Sequence, residues 1–386
     1  MNENNTAAAF APEQLKTFIG TVIDHLGEQG ASDVHVTPDR GIWFVKDKQT
    51  VPLEGMEDIQ PELVNGLVGV LVKGGLKTIE ENGQADASFD SGGAYRGRVA
   101  VRQGQNGISM TIRIISREIP TVESLKLPRT LLATVGKPSG LFLFVGQTGS
   151  GKSTSIAALV NKVNETQPTA IYTLESPIEY VYPASKSLVI QREVGTHVES
   201  FALGIENAKR SHPRIIVVGE ILNVETARSA LLAAASGHLV VSTMHAGSTA
   251  EAIDTLISMF TPAEQPLVRT QIAQVLLSIV TQKLVPRVGG GLAMAQEIAF
   301  NTRTFSNLIL GNGDGDRSKD MMLVQQYLLG NGRTEQMQAM EASLVDLVRH
   351  GTITAETARE ASGDVKLVEE LLEAAELREA DLRSRR

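Results

Sequence analysis

The sequence predicts an α/β protein: an α+β module first, then a parallel sheet wrapped by helices, then a helical C-terminal tail. Three patterns carry that prediction. One amphipathic helix and a set of alternating strands fill about the first 115 residues. Short, wholly apolar strands then alternate with helices from residue 141 onward, as in a parallel sheet. From about residue 320 the chain is charged and helical.

The 386 residues suffice for two domains and a little more. At 42% hydrophobic and 21% charged, the chain can bury a sizeable core, so it is expected to fold. Its formal net charge of −8 argues against a surface built for phosphate backbones, though not against a narrow basic channel. The absence of cysteine excludes disulfides, thiolate catalysis and cysteine-ligated zinc, and it fits a reducing compartment. MNENNTAAAF at the start lacks a basic stretch followed by an apolar one, so no secretory leader is expected. No run of about twenty apolar residues exists to span a bilayer. The expectation is a soluble, cytoplasmic protein.

In chain order, Leu15, Phe18, Ile19, Val22, Ile23 and Leu26 recur at helical spacing over 11–30, and Gly30 ends the pattern. Strand alternation comes next, with Val34, Val36, Ile42 and Phe44 on apolar positions. A second helix is expected near 61–73. AYRGRVAVRQ and GISMTIRIIS read as a strand pair joined by a turn at Gly104–Gly107. Pro120, Pro128, Pro138 and Gly140 mark a linker with one short helix. Beyond it LFLFVG, AIYTL, RIIVVGE and HLVVSTM are strands separated by helices. The expected division is 1–120, a linker at 121–136, a core at 137–320 and a helical region at 321–386. Its last helix, from Asp364, reads as a solvated amphipathic cap whose terminal arginines could attract an acidic partner.

The apolar run 141–145 feeds Gly146-Gln147-Thr148-Gly149-Ser150-Gly151-Lys152-Ser153, with Thr154 next. This is the Walker A pattern with a strand before it and a helix after it. Its glycines let successive backbone N–H groups turn inward around an anion, at the positive end of a helix. Lys152 is placed to reach the β- and γ-phosphates and the Ser153 hydroxyl to ligate Mg²⁺. A plain glycine turn is the alternative; nucleotide binding is the expectation.

Hydrolysis also needs groups that hold the metal and position water. Glu220 ends the strand RIIVVGE, where open α/β sheets place their ligands. It is expected to hold the metal; the other reading is a glutamate serving a helix dipole. Glu175 and Glu179 flank Pro177 after another apolar strand, and one of them could orient water. Spacing alone fits two solvated loop acids nearly as well. His238 and His245 sit seven residues apart at the two ends of one strand, on opposite faces, so they form no common metal site.

Taken together, the motifs resemble one family: the hexameric ATPases of type II and type IV secretion systems, the GspE/PilT family. Within it they are similar to the PilT-like pilus-retraction and DotB-like type IV secretion branches. The resemblance runs from ASDVHV at 31–36 to near 370, through YRGRVAV with MTIRII, IPTVESLKLP, GQTGSGKST, SPIEYV, QREVGTHVESF, IIVVGE, SGHLVVSTMHA, AIDTLISMF and MQAMEASLVDLVRHGTIT. It implies a PAS-like N-terminal domain and a RecA-like ATPase domain, six copies in a ring, ATP and Mg²⁺ as ligands, and an inner-membrane platform protein as partner. Glu179 matches the family's catalytic glutamate, with Glu175 beside it. Glu220 matches the Walker B glutamate. His238 and His245 match a histidine box that couples nucleotide state to subunit contacts. Arg96, Arg98 and Arg113 match N-terminal arginines that approach the phosphates, as an arginine finger does; as bare residues they read as solvated strand charge.

Some positions depart from the family pattern. Ser176 replaces an aspartate of the acidic box, Leu222 and Asn223 replace an arginine and an aspartate after Glu220, and Ala235 replaces a glutamate. TFSNLILGN at 304–312 lacks most charges of the retraction branch. The pilus-assembly and type II branches typically carry a tetracysteine zinc site, which this chain cannot form. Two other functions remain open at this stage. One is a nucleotide-gated hexameric scaffold with negligible hydrolysis. The other is a RecA-like motor on nucleic acid, which one Trp, five Tyr and a negative balance disfavour.

Overall fold

The computed structural model describes residues 11–46, 49–90, 92–311, 317–331 and 334–384. The first ten residues, read above as lacking a leader, lie outside them, as do Asn312 and the terminal Arg385 and Arg386. Two compact units divide the chain. One runs to Ile119 and takes in Pro177–Val181; the other comprises Pro120–Ser176 and everything from Tyr182.

The first unit opens with α1 (Pro12–Glu28), whose proline at the first turn gives up no intrahelical hydrogen bond. Leu15, Ile19, Val22, Ile23 and Leu26 form its buried face. Next come β1 (Asp33–Thr37), β2 (Gly41–Lys46), β3 (Gln49–Pro52), α2 (Pro61–Leu71), α3 (Leu76–Asn82), β4 (Gln84–Asp90), β5 (Tyr95–Gly104) and β6 (Gly107–Ser116). They form an antiparallel sheet in the order β3-β2-β1-β6-β5-β4. Val34, Val36, Val99, Val101, Met110 and Ile112 turn one face toward the helices and are fully buried or nearly so. Because strand side chains alternate, Asp33, His35, Arg96, Arg98, Thr111 and Arg113 share the other face. The sequence reading missed α3 and β4. The first is about two turns long with a single buried residue, Ile79, too short to show a period. In the second, Ala85 and Ala87 occupy inward positions where larger apolar residues would have announced a strand.

The second unit contains α4 (Arg129–Val135), β7 (Gly140–Val145), α5 (Lys152–Thr166), β8 (Ala170–Glu175), β9 (Leu188–Glu193), α6 (Phe201–Lys209), β10 (Ile215–Val218), α7 (Val224–Ala235) and β11 (Leu239–Met244). It continues through α8 (Thr249–Ser258), α9 (Gln265–Val275), β12 (Leu276–Pro286), β13 (Leu292–Phe300), α10 (Arg303–Leu310), α11 (Arg317–Asn331), α12 (Met340–Arg349), α13 (Ala355–Ala361) and α14 (Val365–Ser384). The sheet order is β13-β12-β7-β11-β10-β8-β9, parallel except for β13. Every residue of β7, β10 and β11 is buried. Leu141, Leu143 and Val145 of β7 enter the core on one face, and Phe142 and Phe144 the core on the other. Burial on both faces is why these strands read as unbroken apolar runs.

Val122, Leu127, Leu131 and Val135, from the stretch read as a linker, belong to the second of those cores. Arg214 caps the end of α4, its Nη1 donating to the carbonyls of Val135, Gly136 and Lys137 at 3.2–3.4 Å. Met340, Leu344, Val345, Ala358 and Val368 of the C-terminal helices, with Ile353 between α12 and α13, close a smaller core over Val285, Ala293 and Ala295 of β12 and β13. Among the described residues no helix is long and apolar enough to cross a membrane.

Among the buried charged groups of this framework, a carboxylate on β13 has a displaced titration. Glu297 on β13 is 5% exposed; its Oε1 accepts the Thr249 N–H at 2.7 Å and the Thr281 hydroxyl at 3.3 Å. Burial raises its pKa above the ordinary 4.5, and the neighbouring Glu341 carboxylate acts in the same direction. The folded state therefore binds this proton more tightly than the unfolded chain does. Stability falls as pH rises from the ordinary carboxylate range through the raised value. Glu297→Gln keeps an acceptor for Thr249 but does not titrate. In urea melts over a pH series, the variant should gain on wild type as pH rises through that window and then level off. A difference that stays constant with pH would show that the carboxyl does not titrate there.

Candidate nucleotide site

The site grows from the carboxyl ends of four adjacent parallel strands, β7, β11, β10 and β8. Pairing locks them in register: Val145 lies beside Met244, and Val218 lies beside both Ser242 and Leu174. The segments leaving these strands are therefore held at one edge: the phosphate loop after β7, His245 after β11, Glu220 after β10, and Glu175 at the end of β8. With neighbouring strands about 4.8 Å apart, the chain carrying Glu220 runs about 10 Å from β7.

The phosphate loop depends on glycine at two points. Gly146 has φ +147°, and a Cβ there would lie 2.5 Å from the Gln282 carbonyl oxygen and 2.6 Å from Ser150 Oγ. Gly151, at φ +86°, is the left-handed residue that turns the loop into α5. Lys152, the first residue of α5, is 8% exposed, and its Nζ donates to the carbonyls of Gly146 at 2.7 Å and Gln147 at 2.9 Å. Ser150 Oγ is buried with no hydrogen-bond partner among the described residues. A cradle that admits no Cβ, a buried ammonium, an unsatisfied hydroxyl and a helix start together fit a phosphate group. Gln147, Thr148 and Gly149 form the exposed rim of the loop, and Ser153 is exposed on the first turn of α5.

Glu220 and His245 come together. Their Oε2 and Nε2 atoms are 3.7 Å apart, close enough for an ion pair when the imidazole is protonated. Behind them the strand ends are stitched: Thr243 Oγ1 donates to the Gly219 carbonyl at 2.7 Å, and the Ile221 N–H to the Thr243 carbonyl at 2.9 Å. Glu220 is about one-third exposed. Among the described residues no three His, Asp or Glu side chains converge to hold a metal. One hydroxyl, Ser153, and one carboxylate, Glu220, make a hard-oxygen set of the kind Mg²⁺ uses while keeping waters and phosphate oxygens as its other ligands.

Glu175 has a different environment from Glu220. Its Oε1 accepts the Thr173 hydroxyl at 2.6 Å and the Gln191 amide at 3.1 Å, so its carboxylate is tied to the sheet. Glu179 lies four residues further, half-buried, in the segment that clusters with the first unit. His238 does not join the others. It is 8% exposed at the opposite end of β11, its Nδ1 3.3 Å from the Ala233 carbonyl, with the whole strand between it and His245. Six residues of strand place it about 20 Å away.

Arg96, Arg98 and Arg113 share the polar face of the first unit's sheet. Arg98 lies directly across from Arg113, an arrangement that costs energy unless opposing charge is near. Asp33 supplies it to Arg113, Nε to Oδ1 at 3.1 Å, while Arg98 stands across from Ser88 on its other side. Arg96 stands across from Asp90.

Two of the departures noted in the sequence acquire a physical meaning. Asn223 is the N-cap of α7: its Oδ1 accepts the Thr226 N–H at 2.9 Å. Asparagine caps as well as aspartate does, so this replacement keeps the local structure. Leu222 is 59% exposed and packs into no core. The residue that sequence reasoning missed is Gln191, on β9, which holds Glu175; a strand glutamine carries no signal by spacing.

A phosphate loop on an inner strand of a RecA-like sheet, with a carboxylate two strands away, defines a P-loop nucleotide hydrolase. The profile of the type II/IV secretion system protein family matches residues 11–292. The type IV pilus retraction ATPase PilT of Pseudomonas aeruginosa is 35% identical over 337 residues, 86% of this chain and 94% of that one. PilU, a type IV pilus ATPase of the same organism, is 32% identical over 88% of each chain. Among solved structures, the pilus retraction motor PilT with bound ADP aligns at a TM-score of 0.81 and 34% identity, covering 91% of this chain and 99% of that one. The Legionella pneumophila ATPase DotB shares the fold, at a TM-score of 0.76 and 24% identity over 92% and 97% of the two chains. The chain belongs to the type II/IV secretion system protein family, and it is an ATPase. The sequence-based resemblance to that family is thereby borne out.

If Asn223 serves as a cap, Asn223→Ala should cost about 1 kcal/mol of stability, with Asn223→Asp close to neutral. Urea unfolding of the three proteins measures this. An alanine variant as stable as wild type would remove the cap assignment.

Proposed function

We propose that this ATPase works as a Mg²⁺-dependent homohexameric ring motor powering pilus dynamics or type IV secretion. The observation that carries the reading is the convergence of the phosphate loop, Glu220 and His245 at adjacent strand ends. It is supported by a chain that aligns with PilT over most of both lengths.

In this mechanism the amides of Gly146, Gln147, Thr148, Gly149, Ser150 and Gly151 bind the phosphates together with Lys152 and Thr154. Ser153 and Glu220 hold the magnesium ion, which when bound draws off negative charge from the phosphate oxygens. Glu179 orients the attacking water and accepts its proton. Glu175 serves the catalytic loop by holding its base. Arg96, Arg98 and Arg113 donate to the charge that develops on the transferring phosphoryl group. His245, beside Glu220, senses the occupancy of the metal side of the site. His238, remote from it, is assigned to contacts between copies. The motor works in the cytoplasm, attached at the inner membrane through a platform protein, without direct use of nucleic acid.

Steady-state phosphate release with Mg²⁺-ATP tests the chemistry. Glu179→Gln should lower turnover at least about 100-fold while nucleotide binding persists, and Lys152→Ala should abolish both. Chelating the magnesium should stop release in wild type. Full turnover in Glu179→Gln would remove Glu179 from its role. Binding without turnover in wild type would favour a nucleotide-gated scaffold, and stimulation by single-stranded DNA a nucleic-acid motor. Sedimentation in the presence of nucleotide should give a six-copy species.

A further inference from the structure

We propose that Gln191 is a positioning residue for hydrolysis: its side-chain amide fastens both ends of the loop 176–181, which carries Glu179, to the edge of the sheet. The inference rests on the reading of Glu179 as the water-orienting group and adds to it the device that holds that group.

The geometry is closed at both ends. Gln191 Nε2 donates to Glu175 Oε1 at 3.1 Å, at the last residue of β8 before the loop. Gln191 Oε1 accepts the Tyr182 N–H at 3.0 Å, at the first residue after it. Gln191 lies opposite Thr173 in the β8–β9 ladder, and Thr173 adds its hydroxyl to the same Glu175 oxygen at 2.6 Å. The return segment is fastened as well. Asn164 Nδ2 donates to the Pro183 carbonyl at 2.8 Å, and the Asn164 carbonyl accepts the N–H groups of Lys186 and Ser187 at 3.0 and 3.2 Å. Asn164 belongs to α5, the helix that Lys152 begins. The loop residues 176–181 thus start and finish on one side chain, and their exit is bound to the helix that leaves the phosphate loop.

The amide is chemically suited to this. It must donate to a carboxylate and accept from an N–H at once. Turning it over would set its carbonyl against the carboxylate and its NH₂ against an N–H, so one orientation is fixed. A glutamate at this place could still accept from Tyr182. It would, however, face Glu175, with Glu193 on the same face and paired to Glu175 in the ladder. Three carboxylates so arranged raise the affinity for a proton. Once the introduced carboxyl takes one, it regains a donor for Glu175 and reproduces the amide.

The test compares Gln191→Met, Gln191→Glu and Glu179→Gln with wild type. In Mg²⁺-ATP turnover, Gln191→Met should lower kcat about 10- to 100-fold with KM and ADP affinity unchanged, as expected when a reacting group is displaced without loss of the phosphate site. Gln191→Glu should be similarly slow at alkaline pH and recover toward the wild-type rate as pH falls, a gain that wild type does not show. Hydrogen exchange at the Tyr182 amide should accelerate in Gln191→Met. If Gln191→Met fails to fold, the acid recovery of Gln191→Glu decides. Absence of that recovery, or wild-type kcat in both variants with the Tyr182 amide still protected, overturns the proposal. Should Glu179→Gln itself turn over at the wild-type rate, the reading of Glu179 fails instead, and an unchanged Tyr182 exchange rate in Gln191→Met is what would then sink the brace separately.

Discussion

The burial of β7 on both faces is the constraint on which the rest of the ATPase unit depends. A strand whose six residues are all inaccessible to water has every backbone group committed to the ladders with β11 and β12. Its register cannot slip without exposing one of two cores. The point at which it ends is thereby fixed, and Gly146 turns the chain there in a conformation that a Cβ would block. The neighbours of β7 are held by the same rule, so Glu220 and His245 meet because β10 and β11 stop at the same edge.

Once the strand ends are set, each connecting loop has to satisfy its own polar groups. The solutions differ. After β10 a short loop ends on an asparagine cap; after β11, Ser248 caps α8 and accepts the Glu251 N–H at 3.2 Å. After β8 the next element is a strand, so there is no cap to organise the chain, and the bracing passes to side chains of β9 and α5 instead. That difference separates Glu175 from Glu179. The first spends its carboxylate on structure, while the second lies beyond the fixed point.

Much of this was legible in the amino-acid sequence because burial on both faces leaves apolar runs. LFLFV, RIIVV and LVVSTM announce β7, β10 and β11, and the glycine pattern after the first announces the phosphate loop. The hairpin β12–β13 was not legible. Leu276 is at once the C-cap of α9 and the first residue of β12, so no turn residue separates helix from strand. β9 was missed because it lies at the sheet edge, where its three apolar residues, Leu188, Val189 and Ile190, are not fully buried and give way to the polar Gln191, Arg192 and Glu193. At the site, types and spacing picked out Lys152, Ser153 and Glu220. They could not show that Glu175 is engaged by Thr173 and Gln191, that Asn223 is a cap, or that Arg98 faces Arg113, because each depends on how the chain pairs and turns. The likeness to secretion ATPases supplied roles that spacing left ambiguous, Glu179 above all.

The seating of the C-terminal helices has a mechanical consequence. They are not a tether on the ATPase unit: Leu344 and Val368 share a core with Val285 and Ala295, Lys283 Nζ donates to the Ala361 carbonyl at 2.9 Å, and Ser343 Oγ accepts the Gln296 N–H at 3.0 Å. A load applied to these helices along the strand direction would pass into β12 and β13 and from there into β7. Hydrogen bonds between parallel strands resist such a load in shear, with the whole ladder sharing it, whereas a pull across the ladder would open the bonds one at a time. The strand that ends in the phosphate loop is therefore coupled to the tail by a joint that transmits force stiffly in one direction.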